Sequence, residues 1–202
     1  MKYFQLAPNS SNEFGKIYKN FGINFLDGET GADIEIKTLF EKKKFKSTPV
    51  IQVLTDKRNP NKGISPNFTS VGTGCIVVIK KLIEGSDFHF SGLTLIPVID
   101  KSAEEIYYAL CFDREIDCVN LEKSDYERWP DGVPPTPWSH PVGSFFIKPV
   151  LRLEKIPKGL DVFTLENWGA PFNFVVNEKV RDRLMTLDAS GEYLFFTELV
   201  SE

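Results

Sequence analysis

The sequence predicts an α+β chain, strand-rich and mostly antiparallel, with few helices and a C-terminal strand-helix-strand unit. Three observations lead there. Seventeen Phe, six Tyr and three Trp among 202 residues are more aromatic mass than usual, which suits half-buried pleated strands. Thirteen Pro and fourteen Gly cut the chain into short runs joined by turns. From Glu178 onward, Val180, Leu184 and Leu187 recur at helical spacing on one face.

Tyr3–Leu6 reads as a short strand, closed by the turn formers Asn9, Ser10, Ser11 and Asn12. A second strand is expected over Gly22–Leu26. Asp33–Lys46 carries Ile34, Ile36, Leu39 and Phe40 before Lys42-Lys43-Lys44, a pattern that fits an amphipathic helix or a basic-edged strand. Val50–Leu54 reads as a buried strand, and Thr55–Asn67, with Pro60, Gly63 and Pro66, as an exposed loop. Cys75–Ile79 is the most β-branched run and is expected to be central. Leu93–Ile99 contains Pro97, which predicts an edge or bulged strand because Pro cannot donate to a ladder.

Ile106–Phe112 is expected as another buried strand. Between Trp129 and Gly143, five prolines (130, 134, 135, 137 and 141) predict a loop or extended cover. Phe145–Leu153, Gly159–Leu165 and Phe172–Val176 follow as strand-like segments. Asn177 stands where a helix N-cap belongs, Glu178 opposes the positive end of the helix dipole, and Gly191 ends the unit before a closing strand over Tyr193–Leu199.

At 22.9 kDa, with 42% hydrophobic and 26% charged residues, the chain fits a single domain over 1–202 and none of the disordered, collagen-like or disulfide-scaffold classes. The charge changes sign along it. Residues 1–81 hold 13 Lys/Arg against 7 Asp/Glu, whereas residues 82–202 hold 11 against 21. A division into two subdomains near 82–104 is compatible with that asymmetry. Cys75, Cys111 and Cys118 are an odd number on strand-like sequence, which predicts reduced, buried thiols. The opening residues lack the apolar run of a secretory signal, and no apolar stretch approaches the about 18 residues of a membrane span, so a cytoplasmic protein is expected.

Groups for bond-making chemistry are sparse. His89 lies in the alternating Phe88-His89-Phe90 and reads as a packed or edge residue. His140, on the proline-rich loop, has no nucleophile motif beside it, and a small hydrolase using His140 is the lesser alternative. Cys111 and Cys118 match no zinc spacing, and Gly72-Thr73-Gly74 precedes a strand instead of the helix that a phosphate loop requires. Neither metal nor cofactor is expected, and no enzymatic activity. The acidic half argues against nucleic acid as partner despite Lys42–Lys44.

The richest local feature is acidic. Asp113, Glu115, Asp117, Glu122, Asp125, Glu127 and Asp131 crowd nineteen residues against only Arg114, Lys123 and Arg128. Such a field speeds encounter with a cationic protein. Tyr126, Trp129 and Trp138 add aromatic side chains of the kind that anchor interfaces. These ten residues, the seven acids and the three aromatics, form the candidate partner-binding set.

In the tail, Ile156-Pro157-Lys158-Gly159-Leu160-Asp161-Val162-Phe163, then Pro171 through Val180, the short helix and Gly191, resemble polymorphic-toxin immunity protein family eleven. Ile116-Asp117-Cys118-Val119-Asn120 also looks like a segment of that family, so the resemblance spans about residues 105–199. The family carries Ser where this chain has Asn177, a swap that preserves capping. After Gly191 the family's aromatic position holds Leu194, with Phe195 and Phe196 displaced. The matched residues are strand, cap and turn positions. The resemblance therefore implies a fold and a role: a bacterial protein that binds and neutralises a cognate toxin, with no catalytic residues of its own. A non-catalytic accessory protein of a phage or plasmid is the alternative.

Overall fold

The computed structural model describes residues 1–9, 24–42, 45–52, 65–72, 75–101, 104–132, 143–166 and 174–202. One sheet has seven strands in the order β3 (Asp33–Ile34), β2 (Asn24–Leu26), β4 (Val50–Gln52), β7 (Leu93–Asp100), β8 (Glu105–Phe112), β6 (Cys75–Ile79) and β5 (Phe68–Val71). A second has six, in the order β12 (Val150–Leu151), β15 (Leu194–Ser201), β1 (Tyr3–Pro8), β14 (Phe174–Asn177), β13 (Val162–Leu165) and β9 (Glu115–Ile116). β10 (Asp125–Arg128) and β11 (Gly143–Lys148) form a separate two-stranded ribbon. Among the described residues the α-helices are α1 (Ile36–Lys42), α2 (Lys80–Ile83) and α3 (Glu178–Leu187). Pairing is antiparallel except at β4–β7, β12–β15 and β9–β13.

Strand alternation sorts the apolar residues into three clusters. Ile76 and Val78 of β6, with Leu110 and Phe112 of β8, meet Phe4 and Leu6 of β1 and Phe174 and Val176 of β14 in one shared layer. Val180 and Leu184 of α3 join it. The opposite residues of β6 and β8, Cys75, Val77, Ile79, Tyr107, Ala109 and Cys111, pack on the far face of the seven-stranded sheet with Leu39 of α1. On the far face of the six-stranded sheet, Tyr3, Phe163, Val175 and Leu199 pack against Cys118, Val119, Leu151, Ile156 and Leu160. Cys75–Ile79 shows no polar alternation because β6 is covered on both sides.

The C-terminal unit follows its sequence signals. Asn177 Oδ1 accepts from Val180 N at 3.0 Å, and its Nδ2 donates to Asp161 Oδ1 at 2.8 Å. Asp188 closes α3 by accepting from the N–H groups of Tyr193 and Leu194, and Gly191 takes φ +68°. Asp161 also ties the sheets together. Its Oδ2 accepts from Ser91 N at 2.9 Å, and Ser91 O accepts from the N–H groups of Asp161 and Val162, both at 3.1 Å.

Three expectations need correction or refinement. β7 is neither an edge nor a bulged strand: it lies between β4 and β8 with unbroken register from Leu93↔Phe112 to Asp100↔Glu105. Pro97 is tolerated there because its ring nitrogen, like Ile99 N, points away from β8. Among the described residues β4 pairs with β7 at Val50↔Ile99 alone, so no ladder donor is required at residue 97. Phe145–Leu153 is two strands, since Pro149 separates β11 in the ribbon from β12 in the six-stranded sheet. Within Asp33–Lys46 the helix alternative is found at α1, which Lys42 ends, after the two-residue strand Asp33–Ile34; Lys43 and Lys44 lie outside the described residues.

The chain passes from the seven-stranded to the six-stranded sheet at Asp113-Arg114, between β8 and β9, and α2 and β7 both precede that crossing. The turn expected over Ser10–Asn12 and most of the 55–67 loop lie outside the described residues, as does most of the proline-rich segment.

Gly92 sits at the junction of the sheets with φ +91°, and a Cβ there would lie 2.3 Å from Val162 O. At Gly191 the φ is also positive, but nothing lies within 4 Å of a built Cβ. Gly92→Ala is therefore expected to cost about 3 kcal/mol or more and Gly191→Ala about 1–2 kcal/mol. Urea unfolding of the two variants measures the difference, and equal losses would contradict the close approach.

Candidate functional site

The acidic segment begins at the sheet boundary and ends in the ribbon. Asp113 is half-buried and its carboxylate is engaged internally, accepting from Thr94 Oγ1 at 2.7 Å and from the Cys111 thiol at 3.6 Å. Glu115 and Asp117 are exposed on either side of half-buried Ile116, and Asp117 pairs with Lys155 at 3.3 Å. Cys118 and Val119 then turn inward beneath the six-stranded sheet.

Residues 120–124 form a turn fastened to β12. Asn120 N donates to Val150 O at 2.8 Å, and Val150 N donates to Ser124 Oγ at 2.8 Å. Ser124 Oγ in turn donates to Asn120 O at 2.6 Å. Lys123 Nζ and Asn120 Nδ2 both donate to the Glu202 carboxylate and hold its pKa below the usual carboxylate range. Lys123 is thereby occupied. Glu122 projects to solvent with no ion pair among the described residues.

The ribbon begins directly after this turn. Asp125 lies opposite Lys148 in register, Tyr126 opposite Phe146 and Glu127 opposite Phe145, with bulges on both sides of the Tyr126-Glu127 pair. Asp125, Glu127 and Asp131 are exposed, whereas Tyr126 packs against the cluster that holds Cys118 and Val119. A shallow open cleft of about 380 Å³ separates turn from ribbon. Leu121, Tyr126 and Ile147 supply its apolar lining, and Glu122, Ser124, Asp125 and Arg128 its polar lining.

The structure thus brings Glu122, Asp125 and Tyr126 together at one cleft, with Glu127 on the same short strand. Asp113 is turned inward and is unsuited to surface contact. Trp129 is half-buried just beyond β10. Trp138 and His140 lie outside the described residues. Leu121 and Ile147 were not among the expected contacts. Ile147 is 61% exposed, and the signal that marks it is Pro149, which ends β11 and frees that strand from the buried sheet.

Among the described residues, His89 and the three cysteines do not line this cleft. His89 is exposed between the buried rings of Phe88 and Phe90, which are in edge contact at 5.1 Å. Among the described residues no group of His, Cys, Asp and Glu is arranged to hold a metal ion. All three cysteines are free and buried. Burial, aided by the neighbouring Asp117 charge, pushes the Cys118 thiol up to about 12, and burial raises Cys75 further. Desolvation also raises the Tyr3 and Tyr107 phenols. Among the described residues no helix is long and apolar enough to cross a membrane. No protein-family model matches the chain, and no curated protein matches it.

A thiol reagent at mildly alkaline pH is expected to leave Cys75, Cys111 and Cys118 unmodified in the folded protein and to modify all three after unfolding. Because the folded state retains thiol and phenol protons that the unfolded chain loses, stability falls as pH rises through the unfolded thiol value of 9.0. Unfolding midpoints followed upward from pH 8 check the sign, and a rise in stability would contradict it.

Proposed function

We propose that the protein is a bacterial immunity protein that binds and neutralises a cognate polymorphic toxin, using the acidic turn and ribbon as its contact surface. The observation that carries this reading is the exposed charge of Glu122, Asp125, Glu127 and Asp131 beside the half-buried rings of Tyr126 and Trp129. Aromatic anchors within a charged rim are the composition of binding surfaces. The role is suggested by the resemblance read in the sequence at residues 156–163 and 171–180. Inhibition by occupying a toxin's surface needs shape and field, which this region can provide without a reactive group.

The preferred partner is a cationic protein. A negative field accelerates encounter with such a partner by steering, and the effect weakens as salt screens it. A nucleic acid would be repelled from the same surface. The rigid footing of the ribbon, through Ser124, Asn120 and β12, lowers the ordering cost of binding.

Co-expression with the product of the adjacent gene, followed by pull-down and a survival assay, tests the role directly. Capture with rescue supports it, and an adjacent toxin gene whose product is neither bound nor neutralised contradicts it. Replacing both Asp125 and Glu127 by Lys is expected to slow association about tenfold or more at low salt and to flatten its salt dependence. The same change should alter unfolding stability by less than about 1 kcal/mol. Unchanged association kinetics would remove this surface from the interface.

A further inference from the structure

We infer that the cleft between the 120–124 turn and the ribbon is a socket for a single arginine side chain of the basic partner. The inference rests on the binding role proposed above and assigns that role one seat. At about 380 Å³ the open cleft has room for one long side chain to lie along it. An arginine has an apolar stem and a planar cationic head. Leu121, Tyr126 and Ile147 offer the stem apolar contact, and Glu122 and Asp125 offer the head two carboxylates.

Local charge accounting favours a cation. The nearby lysines Lys123 and Lys155 are committed to Glu202 and Asp117. Glu122 and Asp125 have no ion pair among the described residues, although Lys148 stands opposite Asp125 in the ribbon register. The lining holds these two carboxylates against the one guanidinium of Arg128. An anionic or neutral occupant would leave the excess negative charge uncompensated. Guanidinium also offers a carboxylate a fixed fork of donors that ammonium lacks. Arg128 opposes the incoming charge and so tunes the socket.

The probe is N-acetyl-arginine amide, with N-acetyl-citrulline amide as the neutral isostere, titrated into the intact protein and followed by amide chemical shifts. Binding at roughly millimolar strength is expected for one side chain. Shifts should concentrate at Leu121–Tyr126 and Ile147, and citrulline should produce little change. Glu122→Gln combined with Asp125→Asn should weaken the arginine probe about tenfold or more, whereas Arg128→Gln should tighten it. Retained spectral dispersion in each variant establishes that it is folded.

Equal shifts with citrulline, shifts located elsewhere, or no response to the double substitution would overturn the socket. Toxin capture by the same double variant separates the two claims. Undiminished capture overturns the socket and leaves the immunity role standing, while selective arginine binding by a chain that protects against no toxin sinks the role alone.

Discussion

One apolar layer holds the molecule together. Phe4, Leu6, Phe174 and Val176 from the six-stranded sheet meet Phe68, Ile76, Val78, Leu110 and Phe112 from the seven-stranded sheet, and α3 contributes Val180 and Leu184. Because β-strand side chains alternate, the strands that build this layer also send residues to a second cluster behind each sheet. Tyr3 and Phe4 are adjacent in sequence and serve opposite clusters. A large-to-small change in the shared layer would therefore loosen both sheets at once, at the several-kcal/mol scale typical of buried aromatic truncations.

The candidate surface inherits its order from the cluster behind the six-stranded sheet. Cys118, Val119 and Tyr126 anchor the acidic segment from below, and the Asn120–Ser124–Val150 hydrogen bonds anchor it from the side. What remains outward is charge. Apolar burial determines where the chain turns, and polar satisfaction determines which acids are left free: Asp113 goes to Thr94 and Asp117 to Lys155, while Glu122 and Asp125 have no basic partner among the described residues. A dense run of acids in sequence is thus divided by the fold into structural and available members.

That division explains which features were legible beforehand. The Asn177 cap, the helix after it and the doubly buried Cys75–Ile79 strand are local: a hydrogen bond to Val180 N or a continuous apolar run can be read from a few neighbours. Pro97 misled because what matters is which side of β7 its missing donor faces, and that depends on β4, more than forty residues earlier in the chain. The break at Pro149 misled likewise, since β11 and β12 answer to different partners, β10 and β15. The acids of the site could be counted from the sequence. The cleft could not, because Leu121 and Ile147 become neighbours only when the ribbon closes.

β1 lies between β14 and β15, paired along both edges from Tyr3↔Asn177 and from Tyr3↔Leu199. β1 therefore finds both of its neighbours far along the chain, in β14 and β15. Closing so long a loop is entropically slow, and high contact order of this kind delays folding. Until β14 and β15 are in place, Phe4 and Leu6 have no sheet to enter, and the six-stranded half cannot close around them. The pace at which the six-stranded half forms is thus tied to the position of a single six-residue strand.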